Sequence, residues 1–415
     1  MCDSDAVGCS NQSERPNNRE NKRRSSVSLA DGGRSNKKAS KEPANFHSVV
    51  QELVSSGEVR VDDKKIDLKF NLTSDERITH LSVRGRAIAV FPVESVALST
   101  LVPQLPHHSH HNPTDKLVAK LYWPEEGRKS EVDILQKVHE IAKKDEEGKV
   151  KHHVPELVWS RMIKGTSAAN IRRALGIDDA ETGRRVFYII VFRELHPITK
   201  LSGDEFLSAW WQIIVCHYAL WENGVHHRDI SPSNLMVYRT SGGRWIGVLN
   251  DFDLSSTQDT PSGQERTGTV PFMALHLLTK KGLSGQVEHL YQHDAESFIW
   301  VLTWISICYD NGVYIGKRTE LHDWLRVDAL GCHEKKFSFL GIGRREITPS
   351  SSHRGVWGVA ESCLEAIYLH YWPKEVPIFE DHVVFETWLR KNILKAKILS
   401  PAFLDVRLYH QHHLS

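Results

Sequence analysis

Between about residues 75 and 250 the chain alternates extended apolar runs with stretches of helical period, and a helical pattern also precedes them. Phe46, Val49, Val50 and Leu53 fit one face of a short helix. Two extended runs follow, Ile78 to Val83 and Ala87 to Val93, and Arg84-Gly85-Arg86 between them predicts a hairpin. Leu117-Val118-Ala119-Lys120-Leu121-Tyr122 predicts a buried strand with one lysine inside it. Lys129 to Ala142 is helical by period, with Val132, Leu135, Val138 and Ile141 on one face and Glu131 beside them. Val186 to Phe192 is a continuous apolar strand, and Arg193-Glu194-Leu195-His196-Pro197 breaks it as a connection between two lobes. A long helix follows over Gly203 to Asn223, with Phe206, Trp210, Ile213, Ile214, His217 and Leu220 at core spacing and Asn223-Gly224 as its C-cap. Met236 to Arg239 and Trp245 to Leu249 flank Thr240-Ser241-Gly242-Gly243 and predict a second hairpin.

Composition bounds what these elements can build. At 415 residues and 40% apolar content the chain has material for a sizeable core and two or three domain-sized units. The balance of 53 basic against 52 acidic residues provides no global field that would favour nucleic acid or an anionic membrane. Cys2, Cys9, Cys216, Cys308, Cys332 and Cys363 form no Cys-x-x-Cys pair and lack the density of a secreted scaffold, which points to a reducing compartment. No apolar signal segment opens the chain, and its longest apolar stretch, Phe298 to Tyr309, is too short to span a bilayer. The expectation is a soluble intracellular protein, cytoplasmic or nuclear.

Residues 1–45 are rich in Ser, Asn, Arg and Lys and predict a disordered basic tail. In it, Lys22-Arg23-Arg24-Ser25-Ser26 and Lys37-Lys38 read first as solvated charge, with a phosphosite or a nuclear-import signal as the alternatives. His107, His108, His110 and His111 lie between Pro103 and Pro113, a composition that resists helix and sheet and predicts an insertion loop. No cysteine or carboxylate completes a tetrahedral zinc set there, nor around His410, His412 and His413.

Candidate chemistry centres on His227-Arg228-Asp229-Ile230-Ser231-Pro232-Ser233-Asn234. A carboxylate that accepts a hydroxyl proton and an amide that ligates a metal on the same phosphate need a short rigid loop to hold both, and Asn234 follows Asp229 by five residues. Alone, this stretch could equally be a polar surface loop. Asp251-Phe252-Asp253 after the apolar run Ile246 to Leu249 adds a second acidic group at the end of a strand. Lys120 within its apolar run is costly unless a carboxylate and a phosphate meet it, and Glu131 is the natural partner, although a glutamate in a first helical turn is also favoured by the dipole alone.

In order along the chain, Leu195-His196-Pro197-Ile198, His227-Arg228-Asp229-Ile230-Ser231, Asp251-Phe252-Asp253-Leu254, Gly268-Thr269-Val270-Pro271-Phe272-Met273-Ala274 and His293-Asp294-Ala295-Glu296-Ser297 resemble the fungal-type protein kinase family. The resemblance covers about residues 75–375. It implies an α+β, bilobal protein-kinase-like fold, with a small β-rich N-lobe over 46–194, a larger α-helical C-lobe over 195–400 and a tail over 401–415. It implies Asp229 as catalytic base, Asn234 and Asp251 as Mg²⁺ ligands, and Lys120 on the ATP phosphates paired with Glu131. Gly85 would approach the phosphates from the hairpin. Leu135, Phe252 and His227 would stack as a spine, and Asp294 would anchor the catalytic-loop backbone. Arg228 would receive an activation-segment phosphate on Thr257, Thr260 or Thr267, and Thr269 would bridge the docking loop to Asp229, with Ser231 in the same polar network.

Four positions depart from the family pattern. Ser231 replaces a lysine, Asp253 replaces a glycine, His276 replaces the glutamate that closes the activation segment, and the glycine-rich loop is reduced to Gly85. The implied activity is transfer of the ATP γ-phosphate to Ser or Thr of a protein substrate. A pseudokinase scaffold and a small-molecule kinase stay open as alternatives.

Overall fold

Lys120 sits in the middle of an antiparallel sheet because the strand that carries it is apolar on both faces. The computed structural model describes residues 59–61, 64–71, 78–80, 88–104, 116–163, 167–174, 176, 184–257, 268–373 and 377–395. The basic tail, the Phe46–Leu53 pattern, Gly85 with its turn, the histidine loop, Thr260, Thr267 and the C-terminal histidines lie outside the described residues. All described residues fall within one unit, 38–415.

Strands β1 (Val59–Val61) and β2 (Lys64–Ile66) pair as a short ribbon. The main sheet contains β3 (Lys69–Phe70), β4 (Ile78–His80), β5 (Ile88–Glu94), β6 (Leu117–Tyr122), β7 (Leu157–Ile163) and β8 (Phe187–Arg193). Its order is β3-β5-β6-β8-β7, with β4 also on β5, and every pairing is antiparallel. The β4–β5 pairing is the hairpin predicted around Gly85. Side chains alternate across β6: Leu117, Ala119 and Leu121 pack with Phe91, Trp159 and Phe187 on one face, while Tyr122 packs with Leu135 and Ile190 on the other. Lys120 shares the Tyr122 face.

The helix after β6 is α2 (Glu131–Lys144), following the short α1 (Val96–Leu101). It begins two residues later than the periodicity predicts, because Ser130 and Asp133 form a capping box that satisfies the first-turn amides. Glu131 therefore stands at the first helical position.

Beyond residue 194 helices dominate. Helix α3 (Gly203–Glu222) ends where predicted, with Asn223 capping the last carbonyls and Gly224 at φ 73°, a left-handed conformation that glycine adopts freely. Short strands β9 (His196–Pro197), β11 (Leu235–Arg239) and β12 (Trp245–Leu249) form one sheet, and β10 (Val225–His226) pairs with β13 (Ser256–Thr257). Strand β12 lies directly on α3, and a Cβ at Gly247 would overlap the Ala209 carbonyl. Helix α4 (Tyr291–Cys308) is buried along its whole length, and α5 (Ala329–Ser338) and α6 (Trp357–Tyr371) pack around it. The fold is α+β, with a small sheet lobe and a larger helical lobe.

The sheet lobe meets the helical lobe at His153, whose carbonyl accepts the Leu249 N–H at 2.9 Å and whose Nδ1 lies 2.8 Å from the Gly247 carbonyl. Within the sheet lobe a buried Arg193–Glu156 pair at 2.7 Å fixes the end of β8. Cys216, Cys308, Cys332 and Cys363 are buried free thiols. Among the described residues no helix is long and apolar enough to cross a membrane.

Candidate active site

Lys120, 6% exposed, extends from β6 into the cleft, where its ammonium lies 2.7 Å from Glu131 Oε2 and 2.7 Å from Asp251 Oδ1. Burial pulls its pKa down, but Asp251 and Glu131 outweigh burial and raise it, so the lysine stays charged. Glu131, 1% exposed, has a second oxygen that accepts the Phe252 N–H at 3.2 Å, while its own N–H donates to the Tyr122 hydroxyl at 3.1 Å. Burial pushes the Glu131 carboxyl up, with Lys120 offsetting part of the shift.

Asp251 occupies the left-handed region at φ 64°, a conformation rare for residues with a Cβ. This twist turns its carboxylate to Lys120 and sends Phe252 into the core beside Leu135, edge-on to His227 with centroids 5.0 Å apart. The predicted stack of Leu135, Phe252 and His227 is thus assembled. Burial lowers the His227 pKa to about 4, so the ring is neutral. Its Nε2–H donates to the Asn250 carbonyl at 3.0 Å, and Nδ1 accepts the Asp229 N–H at 3.4 Å, an arrangement that allows only one tautomer.

The loop after β10 positions Asp229. Thr269 donates both its backbone N–H and its hydroxyl to Asp229 Oδ1, each at 2.9 Å. Asn234 Nδ2 donates to the Asp229 carbonyl at 2.8 Å and to Oδ2 at 3.2 Å. Burial, together with the Asp251 charge, raises the Asp229 pKa to about 6 against the pull of the Thr269 and Asn234 hydrogen bonds. Arg228, at φ 70°, is held by its N–H on Asp294 Oδ2 at 3.2 Å. His217 and His289 reach the same carboxylate at 2.9 and 2.7 Å. Against burial, which raises it, His289 and His217 keep Asp294 well below the usual carboxylate range.

Of the sequence-predicted residues, Lys120, Glu131, Asp251, Asn234, Asp229 and Thr269 meet in one cleft. The Ser231 side chain reaches it through Ser233, by a 2.9 Å hydroxyl contact that continues at 3.3 Å to Asn234 Oδ1, and the Ser231 carbonyl accepts the Asn234 N–H at 3.0 Å. Thr257 does not fit the role of an accessible phosphate acceptor: it is 2% exposed in β13, and its hydroxyl accepts Lys129 Nζ at 2.8 Å. Gly85 and Thr267 lie outside the described residues. Sequence reasoning missed Tyr122, Ser233 and the histidines on Asp294; Tyr122 was signalled only by standing two residues from Lys120 on the same strand face.

A family model described as fungal protein kinase matches residues 104–306, a stretch that contains every residue of this cleft described above. Residues 104–306 are thus similar to the fungal protein kinases. That similarity points to a kinase-type phosphotransferase, and the matched family implies ATP and a protein substrate. No curated protein matches the chain. Among solved structures it is similar to vaccinia related kinase 3, at 10% identity and a TM-score of 0.45, over 86% of this chain and 98% of that one.

Proposed function

We propose that this kinase transfers the γ-phosphate of Mg²⁺-ATP to Ser or Thr hydroxyls of a protein, with Asp229 as the base. Thr269 carries this reading. Its two bonds fill Asp229 Oδ1, and Asn234 takes one position on Oδ2, which leaves an acceptor site on Oδ2 for a substrate hydroxyl. A carboxylate with its pKa raised to about 6 by burial is ionised at neutral pH yet basic enough to orient that hydroxyl and take its proton. As the hydroxyl oxygen bonds to the γ-phosphorus, the bond to the β,γ-bridging oxygen breaks and ADP leaves.

Lys120, fixed by Glu131, presents its ammonium to the phosphates beside Asp251. The donor set suits magnesium: Asp251 and Asn234 supply hard oxygen ligands, and Mg²⁺ commonly takes one or two carboxylates plus phosphate oxygens. Bound there, Mg²⁺ would neutralise charge on the β- and γ-phosphates.

A radiolabelled γ-phosphate assay tests the reading. Wild type should label casein on Ser or Thr, and Asp229→Asn should not. Labelling on tyrosine alone, or equal labelling by the variant, would overturn it.

A further inference from the structure

The glutamate that His276 replaces leaves the end of the docking segment without its expected side-chain partner, yet the segment's backbone is gripped from below. Glu296 of α4, 1% exposed, accepts the Leu275 N–H on Oε1 at 2.8 Å and, on the same oxygen, the Trp300 indole N–H at 2.8 Å. Its Oε2 accepts the Tyr371 hydroxyl of α6 at 2.6 Å, and that hydroxyl in turn accepts the His276 N–H at 3.1 Å. Leu275 and His276 open a 3-10 turn, so these are amides without partners inside the turn. From the other side Lys336 of α5, fully buried, donates to the Met273 carbonyl and lies 4.3 Å from the Trp300 ring centroid.

We propose that Glu296 and Lys336 are a positioning pair that holds the acceptor-docking segment, residues 269–276, by its backbone, in place of the side-chain pair that His276 removes. The inference rests on the proposed function. Three consecutive features make the grip matter for transfer. The Phe272 N–H donates to the Thr269 carbonyl at 2.9 Å, and the Met273 N–H to the same carbonyl at 3.2 Å, so the gripped end and the Thr269 end form one rigid turn. Thr269 then holds Asp229. Gly268 precedes it at φ 140°, where a Cβ would crowd Met273, so the close approach of the segment's two ends needs glycine here.

Charge ties the two members together. Burial lowers the Lys336 pKa to about 8, with Cys332 and then Glu296 pulling it back up, and burial raises the Glu296 carboxyl against the pull of Lys336. Removing either one takes an opposite charge away from the other, which keeps only its hydrogen bonds. Lys336 and Tyr371 both lie beyond the residues that the family model matches.

The full chain, with casein as acceptor, tests the pair. Losing hydrogen bonds to a charged group predicts that Glu296→Ala raises the casein KM about ten-fold or more, with ATP affinity by calorimetry unchanged. Tyr371→Phe, which keeps the ring, should raise it about three-fold, and His276→Ala, which keeps both amides, by less than about two-fold. Hydrogen exchange at the Leu275 and His276 amides should quicken in Glu296→Gln and Tyr371→Phe. An unchanged casein KM in Glu296→Ala, a parallel loss of ATP affinity, or a His276→Ala effect as large as that of Glu296→Ala overturns the proposal. If wild type transfers no phosphate, the proposed function fails, and amide exchange alone decides the grip: unaltered protection at Leu275 overturns it. If Glu296→Ala does not fold, Tyr371→Phe carries the kinetic test.

Discussion

The Tyr122 hydroxyl accepts the backbone N–H of Glu131, so strand β6 supplies both the lysine and the clamp that sets the lysine's partner. The N–H belongs to the first residue of α2 and has no acceptor within the helix. The capping box cannot serve it, because Ser130 takes the Asp133 amide instead. Lys120 also lies 5.2 Å from the Tyr122 ring centroid, so the same side chain lines the charge pair from below.

Tyr122→Phe keeps that ring and leaves the Glu131 amide buried without its acceptor. An unsatisfied buried group costs about 1–3 kcal/mol. We expect ATP affinity to fall by roughly five-fold or more, measured by calorimetry, as α2 loosens and Glu131 leaves Lys120. ATP affinity equal to that of wild type would show that the capping box alone holds the helix.

Lys120→Met and Asp229→Asn should separate nucleotide binding from transfer. In the proposed function Lys120 meets the phosphates, whereas Asp229 meets the acceptor hydroxyl. Saturating Mg²⁺-ATP should raise the melting temperature of Asp229→Asn as much as that of wild type, by mass action on the folded state, and should leave Lys120→Met almost unshifted. Equal shifts in the two variants would contradict the separate roles.

The residues that carry charge through the cleft were legible because each breaks a local pattern. Lys120 interrupts an apolar strand, Asp251 follows one, and Asp229 and Asn234 keep a spacing that a short loop can hold. Helix α3 was legible to its cap, since Asn223-Gly224 states its ending in residue chemistry. Strand β7 and the helices after α4 were not singled out. Leu157 to Ile163 is mixed in polarity as the half-covered edge of the sheet, and helix α6 shows no clear polar face because its outer side carries apolar residues such as the exposed Leu369. The grip on Leu275 was hidden for another reason: it depends on backbone amides, which no side-chain pattern encodes. Reading His276 only as a lost ion pair left out the segment's backbone and the 3.3 Å contact of its Nδ1 with His293 Nε2.

Thr269→Val should lower kcat about ten-fold while leaving ATP affinity intact, because valine keeps the N–H bond to Asp229 and deletes only the hydroxyl bond. Ser233→Ala should cost less, within about three-fold, since its bond to Asn234 is long and Asn234 keeps its 2.8 Å bond to the Asp229 carbonyl. Steady-state kinetics on casein distinguishes them. A Thr269→Val enzyme with undiminished turnover would mean that the amide alone orients the base.

Lys336 sets a pH dependence that can be read without any activity. Its pKa is lowered by burial to about 8 in the folded protein, and its ordinary value is 10.5. Below pH 8 both states bind the proton, and the cost of burying the charge is present in full. Between 8 and 10.5 the folded state has released its proton while the unfolded chain still binds it, so this group's contribution makes stability rise with pH there, by at most about 1.4 kcal/mol per unit. Lys336→Met removes the titration. The stability of wild type relative to Lys336→Met, from denaturant melts at pH 7, 8, 9 and 10, should therefore improve as pH rises through 8. Parallel profiles for the two proteins would mean that Lys336 titrates near its ordinary value and is not held as a buried charge beside Glu296.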